Sequence, residues 1–117
     1  MEKVTIWHNP RCSKSRATFN LLEENNIEMT VIKYLIEPST EKKLKELLIK
    51  LDFTARDLMR KKEKIYKELD LKNEENEEKL ITAMVQNPKL IERPIVIKGD
   101  KAVIGRPIDN VIELLGL

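Results

Sequence analysis

Val4-Thr5-Ile6-Trp7-His8-Asn9-Pro10-Arg11-Cys12-Ser13-Lys14-Ser15-Arg16 is the stretch on which the reading of the fold turns. Val4 and Ile6 alternate with their neighbours as a strand requires, and Asn9-Pro10 breaks that strand just before Cys12. Ser13 is placed to cap the next element. From Lys14 to Asn25, Ala17, Phe19, Leu21 and Leu22 recur among polar residues as on an amphipathic helix, which Asn25-Asn26 ends. Met29 to Leu35, with Thr30, Val31, Ile32 and Tyr34, reads as a second strand closed by Pro38. The unit is β-α-β. A right-handed crossover makes its strands parallel neighbours and puts the Cys12 loop at the carboxyl end of the first, where open α/β sheets place ligands.

Leu44, Leu47, Leu48 and Leu51 follow the i, i+3, i+4, i+7 rule behind Ser39 or Thr40 as N-cap. Thr54-x-x-Asp57 has the form of a capping box for a short helix through Met59, and Ile65 to Leu69 carries a further helical turn or two. Glu74, Glu75, Glu77 and Glu78 put negative charge ahead of Leu80, Ile81, Met84 and Val85, as a helix start favours, and Asn87-Pro88 stops that helix. The acidic run reads as a solvated helix start, with no function assigned.

Pro94 to Lys98 and Lys101 to Ile104 flank Gly99-Asp100 and are expected to pair as an antiparallel hairpin. Gly105 is read as allowing an unusual backbone angle. Pro107 suits the first turn of a helix that buries Val111, Ile112, Leu114 and Leu115. The order β-α-β, helices, β-β-α is that of a thioredoxin-like mixed sheet of about four strands. We expect one α/β domain over 1–117, with a helical insertion at about 39–88.

Composition narrows the function. The chain has 117 residues, 41% of them hydrophobic, enough for one ordinary core. Lys and Arg total 22 against 20 Asp and Glu, a net charge of +2, so no nucleic-acid partner is implied. The strand pattern begins almost at Met1, and no apolar run suits a signal peptide or membrane span, so the expected location is cytoplasmic. One cysteine makes no internal disulfide and no cysteine-based zinc site, and the single His8 adds little, so no metal is expected.

Cys12 is therefore read as a reactive thiol. Its place before a helix favours the thiolate, Arg11, Lys14 and Arg16 add positive charge, and the same free N–H groups suit an oxyanion. His8, four residues earlier, either holds the loop or tunes the thiolate. Arg93 and Arg106 each precede a proline at the start of an element, from where a guanidinium can grip an oxyanion in bidentate fashion.

His8-x3-Cys12-x3-Arg16 resembles the signature of the glutaredoxin-linked arsenate reductases. Tyr34-Leu35-x-x-Pro38, Leu58-Met59-Arg60, Asn87-Pro88 and Glu92-Arg93-Pro94-Ile95-Val96 are similar to that family in the same order, over nearly the whole chain. The resemblance implies Cys12 as nucleophile on arsenate or a similar oxyanion, with Arg60, Arg93 and Arg106 holding the anion and His8 and Arg16 supporting Cys12. Pro94 matches the cis-proline that thioredoxin-like folds set beside the reactive cysteine. Reducing arsenate takes two electrons and this chain has one thiol, so the resemblance implies glutathione and glutaredoxin as external reductants, with no bound cofactor. An end at Leu117 looks like the family's short, housekeeping branch. Two other readings stand beside it. A monothiol glutathione-dependent disulfide oxidoreductase fits Cys12-x-x-Ser15 but leaves the arginines unexplained. A Spx-like regulator binding RNA polymerase shares the fold but usually carries a Cys-x-x-Cys pair.

Overall fold

The structure is a computed structural model that describes residues 3–37 and 39–117. Met1 and Pro38, on which two of the expectations fall, lie outside the described residues. The chain forms two compact units, Met1–Glu37 with Arg93–Leu117, and Pro38–Glu92.

The first unit carries the sheet. Strands β1 (Val4–Trp7), β2 (Met29–Ile32), β3 (Ile95–Lys98) and β4 (Lys101–Ile104) lie in the order β2-β1-β3-β4. β1 and β2 are parallel, in register Val4 to Met29, and the other two pairings are antiparallel. The fold is a mixed α/β sheet of thioredoxin-like order. Register explains the core: Ile6 sits opposite both Val31 and Val96, so one face is continuously apolar. Helices α1 (Ser13–Glu24) and α6 (Asp109–Leu115) supply Leu22 and Val111 to it, and Val4, Ile6, Leu22, Val96 and Val111 form one buried cluster. The other face carries Trp7 and Ile95, both buried, with Trp7 stacked on Tyr34 at 6.1 Å.

The second unit is helical: α2 (Glu41–Leu51), α3 (Ala55–Leu58), α4 (Lys64–Glu68) and α5 (Glu77–Gln86), with 3₁₀ turns at Leu71–Asn73 and Pro88–Leu90. Leu44, Leu47, Leu48 and Leu51 are all buried, and α2 packs on α5. Thr40, not Ser39, is the N-cap, accepting from Lys43 N at 3.1 Å. The capping box at Thr54 forms with Asp57. Part of the acidic run does more than face water: Glu77 Oε2 accepts from Ala55 N at 2.8 Å, serving the N-terminus of α3.

Several boundaries differ from expectation, each for a local reason. Cys12 is itself the N-cap of α1, so Ser13 is already helical. β2 stops at Ile32, because the next residues turn, with Ile36 N and Glu37 N donating to Lys33 O, and tuck Tyr34 inward to 2% exposure. α3 ends at Leu58. Met59 is extended and forms an isolated antiparallel bridge with Ile91, flanked by Arg60 N to Leu90 O at 2.7 Å and Glu92 N to Leu58 O at 2.9 Å. Pro107 lies outside α6, which begins at Asp109, and the Arg106-Pro107 bond is cis.

Candidate active site

The site grows from the end of β1. After Trp7 the backbone stays beside β2 for one more bond, His8 N to Ile32 O at 2.8 Å, then folds back through Asn9-Pro10. Cys12 N donates to Asn9 O at 3.0 Å and Arg11 N to Asn9 Oδ1 at 3.0 Å, closing a tight turn that delivers Cys12 to the N-cap of α1. Arg16 braces this turn from the first turn of the helix, its Nη1 donating to Pro10 O at 3.0 Å.

Cys12 is 9% exposed. Burial pushes its thiol up, but opposing contacts outweigh that cost: the backbone N–H of Ser15, the Arg106 side chain, the backbone N–H of Lys14 and the charge of Arg93 together hold it below its ordinary 9.0. No carboxylate side chain occurs between Glu2 and Glu23, so nothing in the neighbouring sequence offsets this positive field. Arg106 Nη2 lies 3.6 Å from Cys12 Sγ, and Arg106 Nε donates to Arg93 O at 3.0 Å. Arg93 is half-buried, with Nε and Nη1 shielded from solvent. Its peptide bond to Pro94 is cis, and Pro94 is fully buried.

His8 has the contacts of a loop-holding residue. Its Nδ1 lies 2.6 Å from Ser15 Oγ, which also accepts from Asn9 N at 3.0 Å, and its ring stacks on Phe19 with centroids 5.1 Å apart. Burial, then the charges of Lys33 and Arg16, lower its pKa below 6.5, which favours a neutral imidazole.

The first unit thus brings Cys12, His8, Arg16, Arg93, Pro94 and Arg106 together. Arg60 belongs to the second unit, where Nη1 pairs with Glu63 at 3.1 Å and Nε lies 3.6 Å from Glu92. Among the described residues, no group of three or more His, Cys, Asp or Glu could hold a metal ion, and no helix is long and apolar enough to cross a membrane.

A thiol held toward its thiolate form at a helix N-cap, beside a cis-proline and two arginines, invites comparison with known proteins. The model of the ArsC family matches residues 7–114. This chain belongs to the ArsC family. It is 54% identical over 117 residues to the uncharacterized protein YfgD of Escherichia coli (strain K12), covering 98% of each. It is 45% identical to an arsenate reductase of Neisseria meningitidis serogroup A, covering 98% of this chain and all of that one. Among solved structures, an arsenate reductase from Vibrio cholerae superposes with a TM-score of 0.92 at 46% identity, covering 96% of this chain and 97% of that one.

Within this ArsC-family site, Ser15 and Asn110 join the residues expected from the sequence, and Gly105 serves a different purpose from the one expected. Ser15 carries a readable signal, since its spacing from Cys12 places its N–H at the N-cap side chain. Gly105, read as allowing an unusual backbone angle, has a φ that is not positive. Its need is for space: a Cβ there would lie 2.8 Å from Pro94 Cγ and 2.9 Å from Thr18 Oγ1. Asn110, whose Nδ2 donates to Ile104 O and Arg106 O, has no sequence signal.

Proposed function

We propose that this chain reduces arsenate to arsenite, with Cys12 as nucleophile and Arg93 and Arg106 as anion holders. The observation that carries the reading is the coupling of Arg106 to both partners, Nη2 at Cys12 Sγ and Nε at Arg93 O. This ties the Arg106 guanidinium to the thiolate and to the Arg93 backbone at once, and the charge of Arg93 acts on the same thiolate, a cationic setting that suits an oxyanion substrate. The relatives named arsenate reductase and the family membership support the same substrate.

In this scheme the Cys12 thiolate attacks arsenic and forms a sulfur–arsenic bond, and the displaced oxygen leaves as water after protonation. Two external thiols then supply two electrons, becoming a disulfide as arsenic(V) falls to arsenic(III) and a second oxygen leaves as water, after which a water molecule breaks the sulfur–arsenic bond, releasing arsenite and restoring the Cys12 thiolate. Glutathione is the attacking thiol and glutaredoxin resolves the resulting mixed disulfide, which suits a protein working in a reducing cytoplasm. His8, through Ser15, and Arg16, through Pro10, keep the loop in shape. Arg60 enters as a third anion holder on the family resemblance alone.

The test is NADPH consumption in a mixture of the protein, arsenate, glutathione, glutaredoxin and glutathione reductase. Arsenate-dependent oxidation is expected, with none in Cys12→Ser. Equal rates in the two proteins would remove the reading.

A disulfide oxidoreductase acting on glutathionylated proteins is favoured by one observation, the single thiol in Cys12-x-x-Ser15. Arg93→Ala separates the two: arsenate turnover is expected to fall about a hundredfold while deglutathionylation barely changes. Parallel losses in both activities would count against Arg93 as an anion holder.

A further inference from the structure

Arg106 reaches a cysteine far away in the chain, so something local must aim it. Three contacts converge on the short link between β4 and α6. Gly105 N donates to Pro94 O at 2.9 Å, and Gly105 has no room for a side chain, because a Cβ would meet Pro94 Cγ at 2.8 Å, Thr18 Oγ1 at 2.9 Å and Val111 Cγ2 at 3.3 Å. The two shorter distances, both under 3.0 Å, are closer than a real Cβ approaches another heavy atom. Arg106 Nε donates to Arg93 O at 3.0 Å. Asn110, half-buried in the first turn of α6, spans the link with its carboxamide, Nδ2 donating to Ile104 O at 3.0 Å and to Arg106 O at 3.4 Å. The carbonyls on either side of Gly105 are thereby held by one side chain.

We propose that Asn110 and Gly105 are positioning residues which together set the reach of the Arg106 guanidinium to Cys12 Sγ, Asn110 by bridging the two carbonyls and Gly105 by its missing side chain. Both act on the thiol through Arg106. Gly105 fixes how closely the link lies against Pro94 and against Thr18, which is fully buried. Asn110 fixes the turn of the link about that contact. At 3.6 Å, Nη2 is at hydrogen-bond distance from the larger sulfur atom, and a shift of well under a van der Waals radius would lengthen and weaken that contact. Arg106 donates toward the thiolate and holds the anion, so both functions should weaken together.

The experiment compares wild type with Asn110→Ala, Asn110→Gln and Gly105→Ala. Ala is a good helix former and Asn110 is not fully buried, so Asn110→Ala should fold. The first readout is the pH dependence of Cys12 alkylation by iodoacetamide. Its midpoint should rise in Asn110→Ala and Gly105→Ala and return at least partly in Asn110→Gln, which keeps an NH₂ donor. The second is arsenate turnover at a pH above all midpoints, where KM should rise about tenfold, the loss of one charge-assisted hydrogen bond, with kcat within about threefold. The second readout rests on the arsenate reading, whereas alkylation needs no arsenate, so failure of the positioning and failure of the substrate assignment are distinguishable. A lowered melting temperature with an unmoved alkylation midpoint in Asn110→Ala would mean a purely structural role and overturn the proposal. A midpoint shift that Asn110→Gln does not restore at all would also overturn it. If Gly105→Ala fails to fold, the Asn110 pair still decides.

Discussion

At the level of single residues, the site depends on two titrating groups whose pKa values both move down, for different reasons. Cys12 is lowered although burial opposes it, because backbone N–H groups and arginines favour the charged form. Its folded-state pKa is below that of the unfolded chain, so the stability this contributes is fully present above pH 9.0 and disappears as pH falls through the folded value. The melting temperature of wild type relative to that of Cys12→Ser should therefore rise as pH is raised toward 9.0, by differential scanning fluorimetry. A constant gap across that range would contradict the assignment. His8 is lowered because burial and the cations Lys33 and Arg16 penalise the charged form. The unfolded chain takes up a proton near pH 6.5 that the folded chain resists, so this residue costs stability as pH falls from 6.5 toward the folded value. An NMR titration of the imidazole should give a midpoint below 6.5, and a midpoint above it would mean that His8 is held as a cation.

Elements show where local chemistry and tertiary contact divide the work. The N-caps of α2 and α5 close with their own side chains, Thr40 to Lys43 N and Asn76 to Lys79 N. Thr40→Ala should cost about 1 kcal/mol in urea denaturation, the usual worth of such a cap, without changing Cys12 alkylation. α1 is different, because its N-cap is Cys12, the proposed nucleophile, and a sulfur in place of a capping oxygen faces the first N–H groups of the helix. A cysteine in that position gives up the strong cap that Ser or Asp would supply, and the helix end is left to face a thiolate or an anion. The helix itself is legible in the periodicity of Phe19 and Leu22. Its cap is not, because Ser13 outranks Cys12 in capping preference when function is left aside, and the expected cap falls one residue late.

For the whole molecule, the sheet and its two helices share one core in the first unit, and the site sits on the loops that leave that core. Leu22 is fully buried there with Ile6, Val96 and Val111. Leu22→Ala should destabilise by about 3 kcal/mol, cavity included, a large part of the total stability of a small domain. Urea unfolding measures this, and a loss under about 1 kcal/mol would indicate a core able to collapse around the gap.

The antiparallel pairing of β1 with β3 is settled by the fold, whereas reading along the chain is enough for the order of elements, the parallel pairing of β1 with β2, the hairpin of β3 with β4, the capping box at Thr54 and the place of Cys12 between strand and helix. These depend on periodicity and on near neighbours. Folding in three dimensions was needed to bring Arg106 to Cys12, to hold His8 between Ser15 and Phe19, to lend Glu77 to another helix, and to make Gly105 necessary for space and not for an unusual angle. Each of these joins residues whose separation in the chain carries no period, and packing alone sets the distances between them.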